Sequence, residues 1–213
     1  MLREEFVEAV GALDEPRCMA IAKELLAQGY DTHEMIALLN EGVKEVGSRF
    51  AAGEFFIGDL IVSGMLYRSI ISLFSSPATM PAGHVQGRIV IGVAQDDIHD
   101  IGKDIVVSFL RAEGFEVIDL GVDVKPERFV HAVETYAPDV LLMSGLMSCT
   151  LGCMQRVVEL LKKRGLRDKV AVLVGGSVVD EFTRDYVGAD MAARDPVITL
   201  QFCKEQAGRG GER

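Results

Sequence analysis

A chain of 213 residues, 49% apolar and 25% charged, with 22 glycines and 6 prolines, can bury one generous core or two small ones. Such a composition is neither disordered nor fibrous. Its 32 acidic side chains outnumber 22 basic ones for a net charge of −10, which works against a phosphate-backbone interface and so against nucleic acid as a partner. The apolar runs fall far short of the roughly 18 residues of a membrane span, and the opening Met1-Leu2-Arg3-Glu4-Glu5 is not a signal peptide, so a cytoplasmic protein with no membrane partner is expected.

From residue 2 to about 74 the apolar residues recur at helical spacing: Leu2, Phe6 and Val10; Ile21 and Leu25; Ile36, Leu39, Val43, Val46 and Phe50; Ile57, Leu60, Ile61 and Met65. Asp14 ahead of Pro16, and Asp31 three residues ahead of Glu34, read as helix starts, because a short carboxylate accepts from the unpaired N–H groups of a first turn. Gly29 and Gly53 mark stops. The pattern predicts an antiparallel four-helix bundle over 1–75. The Ser/Pro/Ala/Gly stretch from Ser75 to Gly83 has no periodicity and predicts a linker, placed at 76–87.

Then the period changes. Short apolar runs at 89–94, 117–120, 140–143 and 170–174 alternate with amphipathic stretches at 101–113, 126–136, 151–164 and 178–186, and a fifth unit runs from about 189 to 206. This alternation predicts an α/β domain over 88–213, a Rossmann-like (flavodoxin-like) five-stranded parallel sheet covered by helices on both faces. The commonest strand order for five such units is 2-1-3-4-5, with a crevice where strands 1 and 3 end. The last seven or so residues, with Gly, Arg and Glu, are expected to fray.

Three loops meet at that crevice. After strand 1 comes Gln95-Asp96-Asp97-Ile98-His99-Asp100-Ile101-Gly102-Lys103, after strand 3 Ser144-Gly145-Leu146-Met147-Ser148-Cys149-Thr150, and strand 4 ends in Gly175-Gly176. Taken singly, each reads equally as a solvated loop with a capping carboxylate and turn glycines. A phospho-receiver would need an aspartate where Ser144 stands and a hydroxyl where the glycine pair stands, and no GxxxxGK[ST] phosphate loop occurs. Cys18, Cys149, Cys153 and Cys203 are too scattered for a disulfide framework. Cys149 and Cys153 lie at metal-pair spacing without a second pair, so small core residues are expected.

Taken jointly, these loops resemble the methionine-synthase-like cobalamin-binding domain. Its fingerprint is D-x-H-x-x-G, about 41 residues, S-x-L, about 28 residues, and G-G. Here Asp97, His99 and Gly102 are followed by residues 103–143, then Ser144-Gly145-Leu146, then residues 147–174, then Gly175 and Gly176, so all three elements are in register. The family places a four-helix cap ahead of this domain, so the resemblance covers nearly the whole chain. It implies a cobalamin or related cobamide whose nucleotide tail is buried in the protein, with His99 replacing that tail as the lower axial ligand of cobalt. Asp97 would accept a hydrogen bond from the other ring nitrogen, and Thr150 would extend the relay with its hydroxyl. Proton uptake by His99 would then accompany passage from the methylcobalamin to the cobalt(I) form. Ser144 and Leu146 would hold the tail base, Ser148 a corrin side amide, and Gly175 and Gly176 would let backbone approach the tail. Asp96, Ile98, Asp100 and Gly102 would line the cofactor, and Phe50 and Ile57 would roof it. Asp96 where many relatives have Gly, Gly58 where relatives often have Pro, and Ala192 near a common aromatic depart from the pattern.

Cap and cobalamin domain leave no segment for a substrate, which makes the free-standing corrinoid proteins of anaerobic methyltransferase systems the nearest resemblance. The expected role is a methyl carrier, incomplete as an enzyme by itself. A substrate-specific barrel-type methyltransferase would load it, a second methyltransferase would unload it to tetrahydrofolate or to a thiol such as coenzyme M, and a reductive activation protein would restore it. The competing readings are the cobalamin subunit of an adenosylcobalamin-dependent mutase, which generally lacks such a cap, and a cobalamin-binding sensory module, which usually carries a DNA-binding segment.

Overall fold

The computed structural model describes residues 2–74 and 85–207. Most of the linker expected at 76–87, and the tail expected to fray, lie outside them. The chain divides into two compact units, one of N-terminal helices together with residues 108–114, the other built on the sheet.

The first unit holds α1 (Leu2–Gly11), α2 (Glu15–Ala27), α3 (Thr32–Ala51) and α4 (Ile57–Phe74). The starts follow the local chemistry. Asp14 accepts from the Arg17 N–H with a proline in the first turn, and Asp31 and Glu34 close a reciprocal capping box over the orphan N–H groups of α3. Gly29 and Gly53 take φ values of 91° and 78° past the ends of α2 and α3, a conformation that costs a side chain about 1 kcal/mol or more. Phe6, Val10, Ile21, Leu25, Leu39, Val43, Val46 and Leu60 are buried as the periodicity predicts. The expectation fails for Ile57 and Met65 of α4, which are exposed along with Val62 and the preceding Phe56, while Ile36 and Phe50 of α3 are half-buried. The reason is that α4 is apolar nearly all round (IGDLIVSGMLYRSIISLF), so spacing alone does not say which side packs.

The second unit alternates β1 (Arg88–Val93), α5 (Ile101–Ala112), β2 (Glu116–Asp119), α6 (Pro126–Tyr136), β3 (Val140–Ser144), α7 (Thr150–Lys163), β4 (Ala171–Gly175), α8 (Glu181–Val187), β5 (Met191–Ala193) and α9 (Pro196–Ala207). All strands are parallel in the order β2-β1-β3-β4-β5. The apolar β1, β3 and β4 are sandwiched between helices, with Phe129 and Val133 of α6 and Met154, Val157 and Leu161 of α7 packed in one cluster with Val90, Leu141, Met143 and Val172. Two boundaries differ from expectation. A 3₁₀ turn, Arg167–Lys169, precedes β4, and α8 begins at 181 instead of 178 because Asp180 forms a capping box with Thr183. The registers Val93↔Ser144, Ser144↔Gly175 and Gly175↔Ala193 bring four strand ends to one line, and the crevice lies there. Among the described residues no helix is long and apolar enough to cross a membrane.

Phe129 is fully buried with its ring against Gly92 of β1. Phe129→Ala should lower the unfolding free energy by about 3–5 kcal/mol, read from the shift of the urea midpoint of the cofactor-free protein.

Candidate functional site

Asp97 is the centre of the crevice. Its side chain is fully buried while His99 beside it is about half exposed, at 51%. Oδ1 of Asp97 meets Nδ1 of His99 at 2.5 Å and accepts the His99 backbone N–H at 3.0 Å, and Oδ2 accepts the Leu146 backbone N–H at 2.6 Å. Burial opposes ionisation of this carboxyl, but the N–H groups of Leu146 and His99 and the imidazole together outweigh it and hold Asp97 below the usual carboxylate range. A charged acceptor on Nδ1 fixes the ring's orientation and favours the tautomer that leaves Nε2 with its lone pair.

The surroundings are apolar and bare. Ile98, on the same loop as His99, is 73% exposed and Ile101, which opens α5, 53%, while Leu146 and Met147 are 42% and 38% exposed on the loop that reaches Asp97. Four large apolar side chains around one half-exposed imidazole form a patch suited to a broad, flat, largely apolar partner. Gly102 adds a second sign: a Cβ there would meet nothing within 4 Å, so no contact in this chain demands a glycine in the first turn of α5.

Two glycines of the other loops, Gly145 and Gly176, serve the protein itself. Gly176 has φ 118°, and a Cβ on it would fall 2.0 Å from the carbonyl oxygen of Gly145. A Cβ on Gly145 would fall 2.3 Å from Oγ1 of Thr150. The Gly145 N–H donates to the Gly175 carbonyl at 3.0 Å, so the loops after β3 and β4 are in direct backbone contact. A tail-binding role was the reason expected for Gly176; its first reason is this close approach. Gly175 differs, since a Cβ there would make only ordinary contacts of 3.5 Å and more.

Thr150 also differs from expectation. It is buried, but its hydroxyl donates to the Met147 carbonyl at 2.6 Å and closes the turn that opens α7, while the second oxygen of Asp97 is taken by the Leu146 N–H. The expected third member of the relay is thus a backbone amide in this structure. Ser144 is half-buried at the end of β3, Ser148 is exposed, and Asp100 is exposed with its carbonyl accepting from Asp104 as α5 begins. Asp96 takes φ 67°, which explains why glycine suits that position. Phe50 and Ile57 belong to the first unit, half-buried at the end of α3 and exposed at the start of α4.

The cysteines form no disulfide, and among the described residues no three His, Cys, Asp or Glu side chains gather as a metal cage. Cys18 and Cys203 are core residues, their thiols pushed up to about 12 by burial. The pair expected in the core is not there: Cys149 is exposed at the N-cap of α7, and Cys153 is half-buried in its first turn with its thiol against the Val124 carbonyl. Asp123 was not singled out in the sequence. Its Oδ1 accepts the Asp96 N–H, and no signal short of the positive φ of both residues would have found it.

Two family models, both described as B12 binding domain, match residues 87–198 and residues 2–73. The chain is 36% identical over 200 residues to a trimethylamine corrinoid protein of Methanosarcina barkeri, covering 91% of this chain and 92% of that one. It is 32% identical over 205 residues to a dimethylamine corrinoid protein of the same organism, covering 96% of each. Among solved structures, a cobalamin-binding protein from Desulfitobacterium hafniense DCB-2 matches with TM-score 0.62 and 31% identity, over 97% of this chain and 98% of that one.

The two glycines separate a demand of the fold from a demand of the ligand. Gly176→Ala should destabilise the cofactor-free protein by about 2 kcal/mol or more through the forced φ and the clash with Gly145. Gly102→Ala should leave it as stable or up to about 1 kcal/mol more stable, as expected for alanine replacing glycine in a helix. Parallel urea titrations of both variants check the contrast.

Proposed function

The chain belongs to the B12-binding family of corrinoid proteins, and from the geometry of its crevice we propose that His99, oriented by Asp97, is the axial ligand through which it holds a cobamide. The protein is a corrinoid-binding methyl carrier of a methyltransferase system. The observation that carries the residue assignment is the His99 ring: Nδ1 engaged by a buried, ionised carboxylate, Nε2 free, and bare apolar side chains around it. The open space over Gly102 and the exposed Ile98, Ile101, Leu146 and Met147 fit a flat macrocycle seated on the imidazole.

Bound there, the cobamide supplies a cobalt ion that can accept and release a methyl group and that changes its demand for an axial ligand as it does so. The chain's own residues answer that demand. Asp97 holds His99 in one orientation through a contact that cannot be lost to solvent, since the carboxylate is buried and two backbone N–H groups fix its other lone pairs. While Nε2 is a ligand, Nδ1 keeps its proton against Asp97. Asp97, as a fixed acceptor beside the ring, would keep that proton on Nδ1 whether or not Nε2 holds the metal.

For the remaining contacts, the strand ends Ser144 and Gly175, paired in register, would hold the nucleotide tail, with Leu146 against its base and Ser148 toward a corrin side amide. Phe50 and Ile57 would, by the family resemblance, shield the bound cofactor. The partners are a substrate-specific barrel-type methyltransferase, a second methyltransferase acting on tetrahydrofolate or a thiol, and a reductive activation protein, all in the cytoplasm. The relatives named for trimethylamine and dimethylamine support a small methylated amine as the methyl source.

Nitrogen labelling tests the ligand directly. The protein, grown with ¹⁵N-histidine, loaded with hydroxocobalamin and reduced to the cobalt(II) form, should show a two-line nitrogen splitting in its electron paramagnetic resonance spectrum. A three-line pattern, unchanged by the label, would mean that the nucleotide base stays on cobalt and would overturn the assignment. The His99→Gly variant should lose the two-line pattern, and Gly102→Ala should retain the cofactor about tenfold less tightly in equilibrium dialysis, a cost set by overpacking against the ligand.

A further inference from the structure

His99 stands on an exposed loop, yet a metal ligand must be held to a few tenths of an ångström for its bond to form without reorganisation. The segment that follows β2 meets this loop at both ends. At the near end, Asp96 and Asp123 face each other with φ values of 67° and 52°, each in the left-handed region that an aspartate enters only at a cost. They are locked by an exchange of bonds: the Asp96 N–H donates to Oδ1 of Asp123 at 2.9 Å, and the Asp123 N–H donates to the carbonyl of Asp97 at 3.0 Å. At the far end, the buried Lys103 ammonium is shared between Asp104 of its own helix and Asp119 at the end of β2, 2.6 Å from each, and Oδ1 of Asp119 accepts the Gly121 N–H at 2.9 Å.

From this bracket we propose that Asp123 is a positioning residue for the axial imidazole, and that the 119–123 segment sets where His99 stands by fixing residues 96–97 and 103 on either side of it. The inference rests on the assignment of His99 as axial ligand. The route is short: Asp123 fixes the backbone of Asp96 and Asp97, and the Asp97 carboxylate fixes the ring. Asp123 touches neither His99 nor the cobamide in this account. Its carboxylate acts as a hydrogen-bond acceptor, so an amide oxygen at the same position serves equally, and asparagine tolerates the left-handed backbone at least as well as aspartate does.

The experiment compares Asp123→Gly, which relieves the backbone and deletes the acceptor, with Asp123→Asn, which keeps the acceptor and removes the charge. In the cofactor-free protein, amide hydrogen exchange at Asp96 and His99 should quicken about tenfold in the glycine variant, the loss expected for one net hydrogen bond, and stay within about twofold of the parent in the asparagine variant. In the ¹⁵N-histidine cobalt(II) protein, the two-line signal should fall several-fold in the glycine variant and return in the asparagine variant. Equal exchange and equal signal in parent and glycine variant would overturn the proposal, as would an asparagine variant that behaves like the glycine one. Absence of the two-line signal from the parent itself would refute the axial assignment instead, and the exchange comparison, which needs no cofactor, would still decide whether the bracket holds the loop.

Discussion

The contact between the buried Asp97 carboxylate and Nδ1 of His99 is what the remainder of the second unit serves. A buried charge is tolerated only when its lone pairs are filled, and here the filling comes from the backbone of two loops, at His99 and at Leu146. The strand order makes that possible. Because β1 and β3 are neighbours in the sheet but not in the chain, the loops that leave them diverge and then meet over their common edge, and a carboxylate from one reaches an amide of the other. Removing either loop's contribution would leave a buried oxygen of Asp97 short of a partner, so the parts of the site are mutually dependent and none of them is decoration on the fold.

A large part of this was legible in the residues. The change of period from helical spacing to short apolar runs separated the two halves, and Asp14, Asp31 and Glu34 marked helix starts that the structure realises as hydrogen bonds. The five-fold alternation predicted the strand order, since right-handed crossovers and short connections leave few arrangements for five βα units. The contact of Asp97 with His99 was legible as well, because a two-residue separation on one loop is a local constraint.

What escaped depended on through-space relations. Spacing within the apolar α4 left Ile57 and Met65 undecided between core and surface, because orientation is set by neighbouring helices and not by the helix itself. The hydroxyl of Thr150 found a carbonyl three residues away before it found a carboxylate across the crevice, a local bond outcompeting a distant one. Gly176 was read as making room for a ligand, whereas the first atom it must admit is the carbonyl oxygen of Gly145, 31 residues earlier in the chain. Asp123 carried no motif; only two positive φ values facing each other showed that it does something.

The outer strands of the sheet carry a further meaning. β2 has four residues and ends in Asp119, and β5 has only three. An open sheet is a template for wrong pairing along its margins, and the hazard grows with the length of unpaired backbone left there. Brief borders, one of them ending in a carboxylate, give the backbone of a second molecule almost nothing to zip onto.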